Sequence, residues 1–441
     1  MQTKREQLSY EMTLLPPLEG LIPEDHRLRK LNRVLDLGFV HEAVRECYCS
    51  DNGRPSVDPE VVIRLFLLQA IEGIRSVREL MREVQVNLAY RWFIGYRLDE
   101  PLPDHSTLSR SLERFGDAVF NRLFSESIGR CRTSGLIEGR VLHVDATTIR
   151  ADLDSNRVGT ADSPDPDAGF GHFPDGRHRP GYKQHVAVDG QARVVVGMTV
   201  TSAAKYEGTE AVAMVDQVIG RLGVMPEVVC ADSAYGSGQN RAMLEERGVR
   251  LVSPPKSITA AKDDHFTVED FHYDSEKDEF ICPAGMPLTY VYNDSERPDR
   301  RCYCASKKAC RDCSYKTRCT RSAARKIKVS KYHAARIRLQ ADSRTESFRQ
   351  LYRSRAPMVE GVFAEEKQWH GLRRAWRRGL AKMRVQCLLI AAVINFKRLA
   401  TAFLDFFVVF PPYSAFIRLI CRLLGRLWRL NFHPALIFDI I

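Results

Sequence analysis

The sequence has no run of 18 or more apolar residues free of charge or proline. That argues against an ordinary membrane span. The nearest candidate, 403–417, holds Asp405 and the pair Pro411-Pro412. The first residues, Met-Gln-Thr-Lys-Arg-Glu-Gln, carry charges of both signs and no apolar core, so no secretory signal is expected. There is no internal repeat. The glycines of Tyr235-Gly236-Ser237-Gly238 have no P-loop lysine after them and read only as a turn. No Ser, His and Asp combination recommends itself as a nucleophilic triad.

What is present is 441 residues with 44% hydrophobic and 27% charged content, the profile of a globular chain of two or three domains. The net charge is +11, but it is unevenly spread. Residues 297–355 hold 19 Lys/Arg against 4 Asp/Glu, and 356–441 hold 13 against 5. The first 296 residues therefore sum to −12, an acidic front joined to a basic back. A basic half of this size suits a polyanionic partner.

Residues from about 20 to 135 read as helical. Asp58-Pro59-Glu60 is a helix start, with a capping Asp and Pro at the first helical position. A second helix is expected from Ser76 through Tyr90, and a third from Asp104-His105-Ser106-Thr107. Such short capped helices suit a helix-turn-helix DNA reader or a plain bundle. From Gly139 the period changes. Val141–Ala146 is a short strand, 152–180 a long mobile loop, and Tyr182–Asp189 with Arg193–Val200 a hairpin. A helix at 209–222, a strand at 227–232, a helix at 239–247 and a strand at 249–252 complete a mixed α/β sheet. Residues 256–340 are polar, basic and cysteine-bearing and interrupt the sheet. Helices return at Thr345 to beyond Lys367 and at Leu380–Leu399.

Asp145 and Asp232 each end an apolar strand, where α/β sheets place functional groups. Two carboxylates on neighbouring strands would repel each other, and Mg²⁺ relieves that repulsion. Glu360 would be the third acid, with Lys367 two turns along the same helix face. Glu365 and Glu366 read as a solvated charged face. His143 and His185 read as satisfied sheet histidines. Two Mg²⁺ ions on three carboxylates can activate water or a hydroxyl for attack on a phosphodiester.

Cys310-x₂-Cys313-x₅-Cys319 approaches Zn²⁺ ligand spacing. Cys282 is a plausible fourth ligand, with Cys302 and Cys304 competing. A set of free thiols is the alternative. The surrounding lysines and arginines suit phosphate contacts.

Taken together, His143-Val144-Asp145-Ala146-Thr147, Gly181-Tyr182-Lys183-Gln184-His185, Ala231-Asp232-Ser233-Ala234-Tyr235-Gly236, and Glu360 with Lys367 resemble the DDE transposases of bacterial insertion sequences. The helical stretches Arg75–Leu80 and Pro103–Leu108 resemble this group as well, so the likeness covers about residues 20–400. It implies a mixed α/β, ribonuclease H-like catalytic core with an N-terminal all-helical domain and a cysteine-bearing basic insertion. The expected division is 1–135 helical and DNA-binding, 139–255 and 345–400 catalytic, 256–344 insertion, and 401–441 an amphipathic tail of unknown role. The resemblance makes Asp145, Asp232 and Glu360 the ligands of Mg²⁺ or Mn²⁺, in two ions. It makes Tyr352, Arg355, Lys367 and Lys183 DNA contacts, with Arg353 competing for the place of Arg355. The implied partners are terminal inverted repeats, target DNA and a second copy of the chain. No small-molecule substrate and no membrane contact of the tail are expected, and the location would be the bacterial cytoplasm, on the nucleoid. The competing readings are a nuclease without strand transfer and an inactive DNA-binding derivative.

Overall fold

The computed structural model describes residues 17–48, 56–256 and 265–409, with side chains to residue 403. The expected amphipathic tail helix lies outside these residues. Seven helices come first: α1 (Leu18–Leu21), α2 (Arg27–Val34), α3 (Val40–Ala43), α4 (Pro59–Glu72), α5 (Val77–Val86), α6 (Leu88–Ile94) and α7 (His105–Thr133). Asp58 caps α4 by accepting the Glu60 N–H at 2.8 Å, and left-handed Gly73 ends it. The single helix expected from Ser76 to Tyr90 is two. Asn87 ends α5 and caps α6, its Oδ1 accepting the N–H groups of Ala89 and Tyr90. A short polar side chain that satisfies two free N–H groups starts a new helix better than it continues an old one.

Six strands follow: β1 (Val141–Arg150), β2 (Gly169–His172), β3 (His178–Asp189), β4 (Val195–Ser202), β5 (Val228–Ala231) and β6 (Arg250–Val252). They form one mixed sheet in the order β4-β3-β1-β5-β6, with β2 on the N-terminal end of β3. β4, β3 and β1 run antiparallel, and β1, β5 and β6 run parallel. The stretch 152–180 is therefore not one loop: it supplies β2 and buries Asp165, which accepts the Tyr182 hydroxyl. At Gly181 a Cβ would stand 2.3 Å from the Ile149 carbonyl, so only glycine lets β1 and β3 meet there.

Helices α8 (Ala211–Leu222) and α9 (Gly238–Glu245) join the strands. Residues 272–330 are not merely an interruption. They form a second sheet, an antiparallel meander of β7 (His272–Asp274), β8 (Glu279–Ile281), β9 (Pro287–Asn293), β10 (Arg300–Ala305) and β11 (Lys326–Ser330). It has a small core of its own around Phe271, Phe280, Tyr303 and Ile327. Two short helices, α10 (Lys307–Arg311) and α11 (Lys316–Cys319), lie between β10 and β11. Then come α12 (His333–Asp342), α13 (Glu346–Trp369) and α14 (Leu380–Val409). Asp342 of α12 receives Arg241 and Arg250, tying the helix back to α9 and β6.

α14 is long and apolar enough to cross a membrane by length and composition, yet most of it is buried in the fold. It packs against α7, α4, α2 and β4. Its apolar run 388–394 belongs to one hydrophobic core that holds both the first helices and the six-stranded sheet. Asn395 takes part as a polar bridge. It accepts the Val195 N–H at 2.8 Å and donates to the Val195 carbonyl at 2.9 Å and to Ser127 Oγ of α7 at 3.1 Å. Both backbone groups of Val195, at the start of β4, are thereby paired.

Candidate active site

β1 and β5 are parallel, with Val144 paired to Ala231. One residue further on, Asp145 and Asp232 stand side by side. Asp145 is still within β1, and Asp232 is the first residue beyond β5. Asp232 Oδ1 accepts the Ala234 N–H at 3.0 Å, and its carbonyl accepts the Ser253 hydroxyl. The turn that follows is tight. A Cβ on Gly236 would lie 1.9 Å from the Pro254 carbonyl oxygen, so the motif Asp-Ser-Ala-Tyr-Gly ends on glycine by necessity.

α13 crosses this face of the sheet. Thr345 caps it, its hydroxyl accepting the Phe348 N–H at 3.2 Å, and the helix continues through Pro357. Phe348 packs with Cys230 and Val252, and Val359 and Val362 are fully buried. Arg355 points to Asp145, with Nη1 and Oδ2 2.5 Å apart. The other oxygen of Asp145 accepts the Ala146 N–H at 2.8 Å. Burial pushes the Asp145 carboxyl up to about 6 against the pull of Arg355 and Ala146, and Asp232 adds like-charge repulsion. His143, on the same face, is held neutral: burial lowers it to about 4, and Arg355 adds to the effect.

Tyr352 stacks on Phe348, and the Arg355 guanidinium lies over its ring at 5.6 Å. Arg353 faces solvent near Glu346, so Arg355 is the arginine at the aspartates. Lys367 is half-buried near the end of α13, and burial lowers its ammonium. Glu360 is exposed on α13. Among the described residues no three His, Cys, Asp or Glu side chains converge closely enough to hold a metal ion.

Three expectations change. His143 is buried, but its Nδ1 has no hydrogen-bond partner among the described residues, so it is not a satisfied sheet histidine. Lys183 does not share the face of Asp145. It pairs with Thr148, three positions along β1 from Asp145, and strand alternation turns it to the opposite side. There it meets Glu207 at 3.1 Å and the Lys205 carbonyl at 2.9 Å. Glu366 is no solvated acid: it is fully buried and accepts Gln184 Nε2 at 3.0 Å. His185 is indeed a satisfied core histidine, 2.9 Å from Thr201 Oγ1.

The cysteines of the second sheet divide into two groups. Cys282, Cys310 and Cys319 pack on the core of that sheet, and burial raises the Cys319 thiol, with Cys310, Cys282 and Cys313 adding like-charge terms. Cys302 and Cys304 lie on β10, and Cys302 is buried.

Two segments of the chain match described families. Residues 16–114 match a transposase domain (DUF772), and residues 281–400 match a transposase DDE domain. The protein is a DNA transposase. Its match to a DDE domain implies DNA cleavage and strand transfer. No curated protein matches the chain in sequence. Among solved structures it is similar to the piggyBac transposase in a synaptic complex with hairpin DNA. That match has 10% identity and a TM-score of 0.34, over 82% of this chain and 72% of the other. It is also similar to the Mos1 transposase in a paired-end complex with the left transposon end. That match has 11% identity and a TM-score of 0.18, over 46% and 62%.

Proposed function

We propose that the chain mobilises an insertion sequence, cutting its ends and joining the freed 3′-hydroxyl to target DNA, with Asp145, Asp232 and Glu360 as the metal-binding acids. The observation that carries this reading is the register that sets Asp145 beside Asp232 under α13. The strand order and directions support a ribonuclease H-like core.

The donor set fits Mg²⁺ or Mn²⁺. Asp145 is a buried carboxyl whose oxygen already attracts a cation, the guanidinium of Arg355, and its neighbour is a second carboxylate. Two divalent ions held there would supply an activated oxygen nucleophile and stabilise the leaving oxygen. The chain's own residues do the rest. Val359 and Val362 seat α13 on the sheet, so that Glu360 is carried on the helix that faces the aspartates. Arg355, drawn off Asp145 by incoming phosphate, would orient the strand, and Tyr352 limits where its guanidinium can lie. Lys367, half-buried beyond Glu360, suits a phosphate contact.

The surface of α5 supports duplex DNA as the partner of the helical region. Arg78, Arg82 and Gln85 recur at i, i+4 and i+7 on one exposed edge of the helix, while Glu79 and Glu83 occupy the other. The basic edge lines a cleft with Pro101, Pro103 and His105, and Arg78 donates to His105 Nε2 at 3.0 Å. Arginine and glutamine are the side chains that reach base edges in a major groove. Terminal inverted repeats are the natural ligand of this face, and a pair of chains would be needed to hold two ends. Cys282, Cys310, Cys313 and Cys319 are the Zn²⁺ set of this reading by their spacing in the sequence, although their side chains do not converge into a metal-holding group in this structure.

The test uses the purified full chain, labelled DNA from the flanks of its gene, a plasmid target and Mg²⁺. Labelled ends joined to plasmid support transposition. Cleavage without joining favours a plain nuclease, and Asp232→Asn cutting like wild type would remove the site assignment.

A further inference from the structure

Glu366 and Gln184 are both completely buried. Gln184 Nε2 donates to Glu366 Oε1 at 3.0 Å. The remaining two oxygens of the pair, Glu366 Oε2 and Gln184 Oε1, have no hydrogen-bond partner among the described residues. Two orphaned acceptors on facing groups are what heavy atoms show when one hydrogen is missing from the count. A carboxylic acid donating its proton to the amide carbonyl, while the amide donates back, satisfies all four atoms.

The surroundings offer a carboxylate no better arrangement. From β3 the facing group is neutral Gln184, and from α14 it is the buried thiol of Cys387. On α13 itself the neighbours are Lys367 and Glu365, and Glu365 is already taken by Lys397 and Arg398 of α14. Burial outweighs Gln184 and Lys367 and pushes the Glu366 carboxyl up to about 8.

We propose that Glu366 is a positioning residue that keeps its proton at neutral pH and, with Gln184, forms a reciprocal acid–amide pair fixing α13 in register on β3. Gln184 is paired to Thr147, two residues along β1 from Asp145 on the same face. Arg355 and Glu366 are 11 residues apart, so they lie on nearly the same helix stripe. α13 is thus pinned at both ends of one stripe, to Asp145 and to Gln184, and Glu360 lies between the pins. This inference rests on the reading of Glu360 as the third acid.

Two measurements test it. The first is stability against pH without DNA, for wild type, Glu366→Gln and Glu366→Ala. A carboxyl whose folded value lies above its unfolded value binds more protons when folded, so its contribution is lost as pH rises. Wild type should therefore lose stability relative to Glu366→Gln between about pH 4.3 and about pH 8, with no further relative loss above. The second is the pH profile of end cleavage. Wild type should decline through about pH 8, and Glu366→Gln should keep its rate there. Glu366→Ala should lose about tenfold in turnover, with its KM for DNA unchanged. A stability difference between wild type and Glu366→Gln that is flat in pH would overturn the acid–amide pair. Full cleavage by Glu366→Ala would overturn the positioning role. If wild type cleaves no end DNA at all, the transposition reading fails and the positioning role falls with it, while the stability series still decides the pair.

Discussion

Arg355 Nη1 lies 2.5 Å from Asp145 Oδ2, with side chains only 12% and 14% exposed, and this contact joins α13 to β1 across 210 residues of sequence. The guanidinium compensates a carboxyl buried in the face of the sheet. Removing one member of a buried ion pair costs about 3–5 kcal/mol because the survivor is stranded. Arg355→Ala should therefore be strongly destabilised in chelator. Mg²⁺ should restore more stability to this variant than it adds to wild type. Denaturant unfolding with and without Mg²⁺ measures both, and equal gains in the two proteins would contradict the idea.

Asn395 is the second polar joint, and it has no spare partner. Asn395→Leu would leave the Val195 N–H and carbonyl buried without hydrogen bonds. Each such group costs about 1–3 kcal/mol. We expect at least about 2 kcal/mol of lost stability in urea unfolding. A neutral substitution would mean that water replaces the amide there.

The proposed Zn²⁺ set predicts metal content. Wild type prepared without chelator should hold about one Zn²⁺ per chain, since four thiolates make one closed site. The pair Cys310→Ser and Cys313→Ser should release it, and Cys302→Ser should not. Elemental analysis of the three proteins decides; a wild type with far less metal leaves these residues as free thiols.

Buried histidines contribute to the acid side of stability, and two lie away from the aspartates that His143 adjoins. Burial lowers His185 and His333 to about 4 each. A histidine depressed in the folded state must take up a proton on unfolding, so stability is held above about pH 6.5 and lost as pH falls toward 4. Each contributes on the order of a few kcal/mol over that window, at about 1.4 per pH unit. His185→Gln should show a shallower fall between pH 6.5 and 4 in thermal melts, and an unchanged slope would count against the assignment.

The strands that carry Asp145 and lead to Asp232 were legible because each has an apolar run closed by an acid, although β1 continues past Asp145 to Arg150, and the α13 helix was legible because its apolar residues recur at helical spacing. The second sheet was not. Its strands are three to seven residues long, and β9 leaves Tyr290, Val291 and Tyr292 exposed, so no clean alternation marks it. Asn87 hid a helix break because a mid-run Asn fits both a helix interior and a cap. Lys183 was placed with its motif, but the face it points to depends on a register that only the pairing of β1 and β3 fixes. Glu366 sits in a Glu-Glu-Lys run that looks solvated, and its partner is 182 residues away in sequence. The one local hint was Gln184, an uncharged polar residue between Tyr182 and Val186 on the same strand face.

The helix α14 passes through a core shared by the first helices and the six-stranded sheet. A hinge between them would have to open that core. The basic edge of α5 and the aspartates of β1 and β5 are therefore held at a fixed separation, like the jaws of a locked caliper. On the proposed reading, DNA gripped by one jaw would be presented to the other at a set number of base pairs, so the span from recognised sequence to cut would be a dimension of the protein itself.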